Sequence, residues 1–268
     1  MKNPVSIFIM DISNSSDNAG FGTELERYLA EIEQLIKNWV DGIVPCQISR
    51  RRGDEIIFIS KNYATAYIIA FYLGKIWKYT NHSPYFGLSF GNVEADLNRI
   101  NPETWIHPLV KQARIANDEL KSMQADRIQY RFNLVPADVE SRSHDSVDIL
   151  LATFETLINS ILENQNVYLK KQTEIQKLTT ALYVILAKQK KIAAYLNKTP
   201  ATISSHLNKG NGHEILKTFK KMTEALTMYQ ISIFTLENMF PDEELFAVND
   251  RLNNKIKKDI TEKIDTFF

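Results

Sequence analysis

The chain has a single cysteine, Cys46, so it cannot form an internal disulfide. The segment around it, Ile43–Ile48, is typical of a strand, and we expect Cys46 to be a small core residue rather than a reactive thiol. No run approaches the roughly 18 apolar residues of a membrane span. The first apolar run, Val5–Met10, is too short for a signal peptide. These absences predict a cytoplasmic protein that does not bind a membrane.

Several common site patterns are also missing. The sequence has no phosphate-binding Walker loop, no Ser/His/Asp nucleophile elbow and no zinc pattern, and its five histidines show no metal-ligand spacing. The formal net charge is zero, but residues 170–228 contain eleven lysines and only three acidic residues. A basic segment between two acidic parts favours a nucleic-acid-binding module, with a solvated basic face as the alternative.

The first 135 residues alternate between strand and helix patterns. Their order, βαββαβαβ, contains the β-α-β-β-α-β core of the ferredoxin-like layout and predicts an α+β domain with helices on one face of a sheet. The polar stretch Ser13–Gly22 is expected to be flexible. The predicted elements are Val5–Met10, Thr23–Val40, Ile43–Arg50, Glu55–Ser60, Tyr63–Tyr79, Tyr85–Phe90, His107–Leu120 and Arg127–Val135.

The pattern changes to long helices after about residue 145. Pro136–His144 has the composition of a linker, and Val147–Tyr168 carries an apolar stripe suited to packing or to dimerisation. We therefore expect a sheet domain over residues 1–140, a connecting helix over 141–170 and an all-α domain over 171–268. A homodimer is the expected assembly.

The segment from Lys188 to Leu207 has the chemistry of two short helices joined by a tight turn. Asn197 is expected at the turn in a left-handed conformation, for which Asn is the best residue after Gly. Thr199 is a good N-cap and Pro200 a good first helical residue. Ile203 and Leu207 would then face the core, leaving a small, polar outer face that can enter a major groove.

This segment resembles the helix-turn-helix of bacterial regulators, in which an IAxxLxxSxxTVSxxL pattern recurs. The resemblance implies that Pro200, Ala201 and Ser205 point at base edges and that the other polar groups meet phosphates. No Arg, Gln or Asn occupies a base-facing position, so specificity is expected to be low or to depend on dimerisation. The alternative is an ordinary helical hairpin. The candidate DNA-binding residues are Lys188, Thr199, Pro200, Ala201, Thr202, Ser204, Ser205 and Lys209.

Two carboxylates stand at strand ends in the N-terminal part. Asp11 follows the first strand, and Asp54 lies at the predicted hairpin tip Gly53-Asp54. In a βαββ unit these points are neighbours, so the pair could hold Mg²⁺ or Mn²⁺ with a nucleoside triphosphate. The alternative is that both are ordinary turn or cap residues.

These strands resemble the palm-type domain of class III nucleotidyl cyclases and, more distantly, of GGDEF diguanylate cyclases. Phe8–Ser13 is similar to the first metal-binding strand, Arg52-Gly53-Asp54 to the second metal carboxylate, and Phe86–Gly91 to a strand ending in glycine. The resemblance covers about residues 5–135. Together with the helix-turn-helix, the layout resembles the bacterial SatD-like proteins. It implies metal binding at Asp11 and Asp54.

The helix after that strand departs from the cyclase pattern. Cyclases carry an Asn and an Arg one turn apart, where this chain has Lys111 and Ile115, while Arg114 and Asn117 are out of phase. The resemblance therefore implies a degenerate domain that senses a metal or a nucleotide, with Lys111 and Arg114 as candidate nucleotide ligands. We expect a DNA-binding transcriptional regulator. The alternatives are an active cyclase or transferase that uses Mg²⁺ or Mn²⁺ and is controlled by the helical part, and a purely structural protein.

Overall fold

A computed structural model describes residues 3–13, 19–51, 54–135, 146–236 and 244–268. Within these ranges the chain is α+β, as expected, with one mixed sheet and a larger helical portion. The strands are β1 (Asn3–Ile12), β2 (Cys46–Arg51), β3 (Glu55–Lys61), β4 (Pro84–Val93) and β5 (Tyr130–Phe132). The helices are α1 (Ala19–Val40), α2 (Thr65–Ile76), α3 (Pro108–Ser122), α4 (Ser146–Lys171), α5 (Glu174–Leu186), α6 (Gln189–Tyr195), α7 (Pro200–Lys209), α8 (Gly212–Leu236), α9 (Leu245–Glu262) and α10 (Ile264–Phe267).

The sheet is built around β1, which is apolar at nearly every position. The strand order is β2-β3-β1-β4-β5, with β1 antiparallel to both of its neighbours. Phe8 of β1 lies opposite Phe58 on one side and Leu88 on the other. The last pair, β4 and β5, is parallel and is connected through α3.

The helices cover both faces of the sheet, so the expectation that they lie on one face is wrong. Side chains alternate along a strand, and Phe8 and Met10 of β1 pack in the cluster that contains α1 and α2. Ile7 and Ile9 pack on the opposite face, against α3. The sequence shows an apolar residue at nearly every position of β1, as expected for a strand buried on both sides.

Two glycines of β4 allow α3 to lie close to the sheet. A Cβ added at Gly87 would overlap the backbone of Ala113 and of Asn117 in α3. A Cβ at Gly91 would come within 2.9 Å of the Leu109 side chain. The glycines therefore set the distance between α3 and the sheet.

The boundaries of several elements differ from the expected ones. Helix α1 begins at Ala19 rather than at Thr23, within the stretch expected to be flexible. Strand β2 begins at Cys46 rather than at Ile43, because the amides of Ile43 and Val44 bond back to the Val40 carbonyl at the end of α1. Strand β5 has only three residues. No helix in the described ranges is long and apolar enough to cross a membrane.

The later helices pack directly on the outer side of α1 and α2. The rings of Phe71 in α2 and Phe219 in α8 stack with their centroids 4.0 Å apart. The Trp39 indole nitrogen donates to Asp259 of α9 at 3.1 Å. The sheet and the later helices therefore share one hydrophobic core.

Helix α4 runs along the edge of the sheet at β5. The side-chain amide of Asn159 bonds to both the amide and the carbonyl of Phe132, at 2.8 Å each. The opposite side of α4 is largely uncovered, with Leu150 63% exposed and Leu157 58% exposed. One face of α4 thus completes the sheet edge, and the other presents apolar side chains to solvent.

Candidate functional site

The alternation of β1 directs Asp11 towards α3. Asp11 shares the face of Ile7 and Ile9, which pack under α3, and it lies at the end of the strand, opposite Tyr85 of β4. The last turn of α3 brings Lys121 over this point, with its Nζ 3.9 Å from Asp11 Oδ2. The Asp11 side chain is only 16% exposed.

Several groups contact the Asp11 carboxylate, but burial has the largest effect on its pKa. Burial raises the pKa of Asp11, and the negative charge of Asp54 raises it further. Hydrogen bonds from the Ile12 amide, at 2.8 Å, and from Tyr85 lower the pKa in part. The same contact and burial raise the pKa of the Tyr85 hydroxyl well above its usual value. The charged form of Asp11 is therefore poorly stabilised in the folded chain, and a further cation nearby would stabilise it.

Asp11 and Asp54 lie at the same edge of the sheet, because the register that pairs Met10 with Ile56 continues towards them. The charge of Asp54 accordingly raises the pKa of Asp11. Arg52 and Gly53 of the expected hairpin tip lie outside the described residues. In the described part of the chain, no group of three or more His, Cys, Asp or Glu side chains converges on one point. Two carboxylates are nevertheless a common set of protein ligands for Mg²⁺, since water and phosphate oxygens supply the other ligands. The pair fits a divalent cation in this limited sense.

The candidate nucleotide ligands on α3 have different surroundings. The Arg114 guanidinium forms a bidentate ion pair with Glu55, whose carboxylate oxygens lie 2.9 Å from the two terminal nitrogens. Lys111 is exposed, one turn before Arg114. Asn117 is buried, and its amide donates to the Ile9 carbonyl of β1 at 2.9 Å. Asn117 therefore holds α3 on the sheet and does not face a ligand.

A cleft of about 700 Å³ opens beside the Arg114–Glu55 pair. We call it the arginine cleft. Arg51 lies opposite Glu55 in the pairing of β2 with β3. Its guanidinium donates to the Pro102 carbonyl and forms no ion pair with any residue that the structure describes. The cleft combines arginine donors with two carboxylates, a set that suits a polar, phosphate-bearing ligand better than an apolar one. Its lining residues are Arg50, Arg51, Glu55, Glu103 and Arg114.

The residues around Asp11 that we did not anticipate come from other elements of the fold. Tyr85 is brought there by the pairing of β1 with β4, and Lys121 by the docking of α3. Arg127 stacks over the Tyr85 ring, 4.3 Å from its centroid. One sequence signal was available for Lys121, because it lies seven residues after Arg114 and so falls on the same face of a helix.

A second candidate site is the pair of helices α6 and α7. Asn197 joins them with φ of 51°, the left-handed conformation expected from its sequence. The Thr199 hydroxyl caps α7 by accepting from the Thr202 amide at 3.2 Å, and Pro200 is the first helical residue. Ile203 is fully buried against Ile192 and other residues of α5–α7. The local expectations for this turn are therefore confirmed.

The outer surface of α7 is open to solvent. Pro200, Ala201 and Ser205 are exposed, and Thr202 and Ser204 are half-buried. Residues 175–213 contain no aspartate or glutamate. Exposed lysines surround the pair of helices, and they form no ion pair within the described ranges: Lys188, Lys190, Lys191, Lys198 and Lys209.

Comparison of this chain with protein-family models, with curated proteins and with solved structures finds no match. The resemblance to the cyclases and to the SatD-like proteins thus depends on the motifs around Asp11, Asp54 and Lys188–Leu207 alone, and it stays a prediction. The two sites have to be interpreted from their own chemistry.

Proposed function

We propose that this protein is a DNA-binding transcriptional regulator whose sheet domain senses a nucleotide together with Mg²⁺ or Mn²⁺. The observation that carries the proposal is the surface of α7, where small polar side chains lie exposed behind a capped helix N-terminus, in a segment without acidic residues. The helices α6 and α7 act as a helix-turn-helix, with α7 as the recognition helix.

The electrostatics of this surface favour a polyanion. Lys188, Lys198 and Lys209 are exposed, and no carboxylate between residues 175 and 213 competes for them. Each lysine that neutralises a phosphate releases counterions, so binding would weaken steeply as salt rises. The short side chains of Ala201 and Ser205 allow close approach to a groove but offer little base readout. We therefore expect strongly salt-dependent binding with modest sequence preference.

Fluorescence anisotropy with a labelled duplex tests this proposal on the full chain. Ser205→Glu places a negative charge on the outer face of α7 and should weaken binding at least tenfold. Lys190→Gln with Lys191→Gln should lower the slope of log affinity against log salt by about one for each phosphate that is no longer neutralised. Ser232→Glu, on an exposed position of α8, is the matched control and should leave binding unchanged. Equal binding by all these variants would contradict the proposal.

The sensing half of the proposal concerns the carboxylate pair and the arginine cleft. The strand order fits a ferredoxin-like, palm-type sheet, in which strand-end carboxylates face a bound nucleotide. Asp11 and Asp54 would hold the divalent cation, which shields the charge of the phosphates when bound. Arg51 would pair with a phosphate, and Arg114 would join it once released from Glu55.

Calorimetric titration of the full chain with ATP and with GTP, each with Mg²⁺ or Mn²⁺, tests the sensing site. Binding should be lost in Asp54→Asn and weakened several-fold in Arg51→Gln. Arg99→Gln is the control, because Arg99 is 88% exposed and, among the residues that the structure describes, forms an ion pair with Asp96 alone. Tight binding that does not depend on Asp54 or on the metal would refute this site.

The second candidate function is catalysis at the same carboxylates, as in an active cyclase or transferase. It is favoured by the proximity of Asp11 and Asp54, and opposed by the engagement of Arg114 with Glu55 and of Asn117 with β1. Incubation with ATP or GTP and Mn²⁺, followed by chromatography, separates the two candidates. Turnover that disappears in Asp54→Asn would establish the enzyme, and its absence at saturating nucleotide would leave the sensor.

We propose that the regulator is a homodimer that associates through the uncovered face of α4. Four exposed apolar side chains form one stripe along that face: Ile149, Leu150, Leu157 and Ile161. A contiguous apolar patch of this kind is typical of a protein–protein contact. Light scattering after size exclusion measures the assembly directly. Leu157→Glu should give a monomer, whereas Ile106→Glu, at an exposed apolar residue outside α4, should not.

A further inference from the structure

A separate cavity of about 290 Å³ lies between the sheet and the later helices. One wall is the end of α2, with Gly74 and Lys75, and the opposite wall is α5, with Leu178 and Ala181. Its volume is near the lower end of the range for small-molecule sites. The cavity is remote in sequence from Asp11 and Asp54 and shares no lining residue with the arginine cleft.

Lys75 places a positive charge in this cavity without a matching negative one. Its Nζ lies 5.0 Å from the centroid of the Phe71 ring, and it forms no ion pair with any described residue. Burial lowers the pKa of Lys75 to about 8. The carboxylate of Glu174, which also lines the cavity, is engaged by Lys177 at 2.8 Å. A partly buried ammonium without a carboxylate partner lowers the free energy of unfolding unless another anion pairs with it.

The remaining walls mix aromatic and aliphatic side chains with polar ones. Trp77, Tyr79 and Phe268 line the cavity together with Leu178. Gln129 adds one polar amide beside Gly74, where an added Cβ would lie 2.5 Å from Gln129 Nε2. The glycine therefore lets the amide lie against α2.

Lys177 and Gln172 line the cavity too, but Lys177 is paired with Glu174, and Gln172 bonds to Thr180 and Gly210. Lys75 is therefore the lining cation without a carboxylate partner among the described residues, and with the Gln129 amide it suits a ligand with one negative charge and a flat apolar body.

We propose that this cavity binds a small organic monocarboxylate with a ring as its body. The carboxylate pairs with the Lys75 ammonium and accepts from the Gln129 amide, and the ring packs between the aromatic side chains and α5. A dianionic phosphate is a poorer fit, because Lys177 is already paired with Glu174 and Lys75 alone leaves the second charge of the phosphate unpaired. The ligand would touch both the sheet part and the helix that precedes α6 and α7. The binding itself does not depend on the function proposed for those helices.

Ligand-observed NMR on the full chain tests the proposal with benzoate, its neutral counterpart benzamide, and inorganic phosphate, the last monitored by its phosphorus signal. Benzoate should bind saturably, and at least tenfold more tightly than benzamide or phosphate. Lys75→Met keeps the length of the side chain and should reduce benzoate affinity at least tenfold. Lys221→Met, at an exposed lysine of α8 paired with Glu224 and outside the cavity lining, is the control and should bind as the unmodified chain does.

A second variant separates loss of charge from loss of space. Leu178→Trp leaves Lys75 in place but fills the cavity, so it should also abolish binding. The amide NMR spectra of both variants should remain those of a folded protein. The proposal is wrong if benzoate fails to bind, or if it binds the Lys75→Met chain as tightly as the original. Equal affinity for benzoate and phosphate would also overturn it, since that would indicate a surface cation without the selectivity of a cavity.

Discussion

Arg114 of α3 and Glu55 of β3 form a bidentate ion pair, with both nitrogen–oxygen distances at 2.9 Å. Both residues line the arginine cleft, where Glu55 already pairs with the guanidinium. Glu55 is 15% exposed and Arg114 41% exposed, so water screens the pair only in part. The sheet site therefore has its most suitable phosphate ligand occupied by the chain itself.

Glu55→Gln should release Arg114 and change two properties in opposite directions. Loss of the charge-assisted pair should lower the free energy of unfolding by about 1 kcal/mol. Affinity for a nucleoside triphosphate should rise, because Arg114 becomes available. Urea unfolding and calorimetric titration measure these effects. Glu262→Gln, which loses an exposed pair with Lys258 at 3.9 Å, should change neither. An unchanged nucleotide affinity would separate Arg114 from the ligand site.

Gly87→Ala should be one of the most damaging small substitutions in the protein. The added methyl overlaps the backbone of Ala113 and Asn117, which cannot move without lifting α3 from β4. We expect a loss of about 3 kcal/mol or more in urea unfolding. Gly22→Ala is the control, since a Cβ there meets nothing within 4 Å and the residue lies in α1. That change should stabilise by about 0.5–1 kcal/mol.

Asn159→Leu should detach α4 from the sheet edge. The substitution leaves the amide and the carbonyl of Phe132 without their partner in a buried position. Each unsatisfied group costs about 1–3 kcal/mol, so a loss of about 2–4 kcal/mol in thermal or urea unfolding is expected. Asn164→Leu removes only an exposed bond to Ser160 on the same helix and should stay within about 0.5 kcal/mol.

Asp11→Asn should raise the melting temperature at pH 7. Burial and the charge of Asp54 raise the pKa of Asp11, so the folded chain holds this proton more tightly than the unfolded chain. Between the ordinary value of 3.8 and the raised value, the contribution of Asp11 to the free energy of unfolding falls as pH rises. The variant should lose that dependence. Thermal scans from pH 4 to 7 measure it, and Asp250→Asn in α9 should match the original chain.

Lys75→Met should stabilise the protein at neutral pH, by about 1–2 kcal/mol, because it removes an unpaired, partly buried charge. The pKa of about 8 in the folded chain lies below the ordinary 10.5, so the unfolded chain holds more protons between these values. Relative to the variant, the original chain should therefore gain stability as pH rises from 8 to 10.5, in addition to the loss that buried tyrosines such as Tyr85, with a raised pKa, cause in both chains. Urea unfolding across this range checks it, and parallel curves would contradict it.

The sequence was informative wherever local chemistry decides the structure. Continuous apolar runs located β1 and β3, and cap residues located the turn at Asn197, since each depends on a few adjacent residues. The position of α3 was not predictable in the same way. It depends on contacts that Gly87 makes with residues some thirty positions away, which no local pattern reveals.

The candidate site shows the same division. Asp11 could be singled out because it ends a buried strand that the βαββ order places next to the hairpin with Asp54. Tyr85 and Lys121 could not, because strand register and helix docking bring them to Asp11. The cavity around Lys75 is the extreme case, as its walls come from α2, β4 and α5 and exist only when the later helices pack on the sheet.

In the proposed regulator, the stacked rings of Phe71 and Phe219 would bear on how a ligand at the sheet affects the later helices. A molecule whose halves share a core has no hinge about which one half swings as a rigid lever. A ligand at the sheet would instead have to act by changing side-chain packing, with each aromatic ring displacing the next as far as α8. Replacing Phe219 by a smaller residue would then uncouple the ends without touching either site.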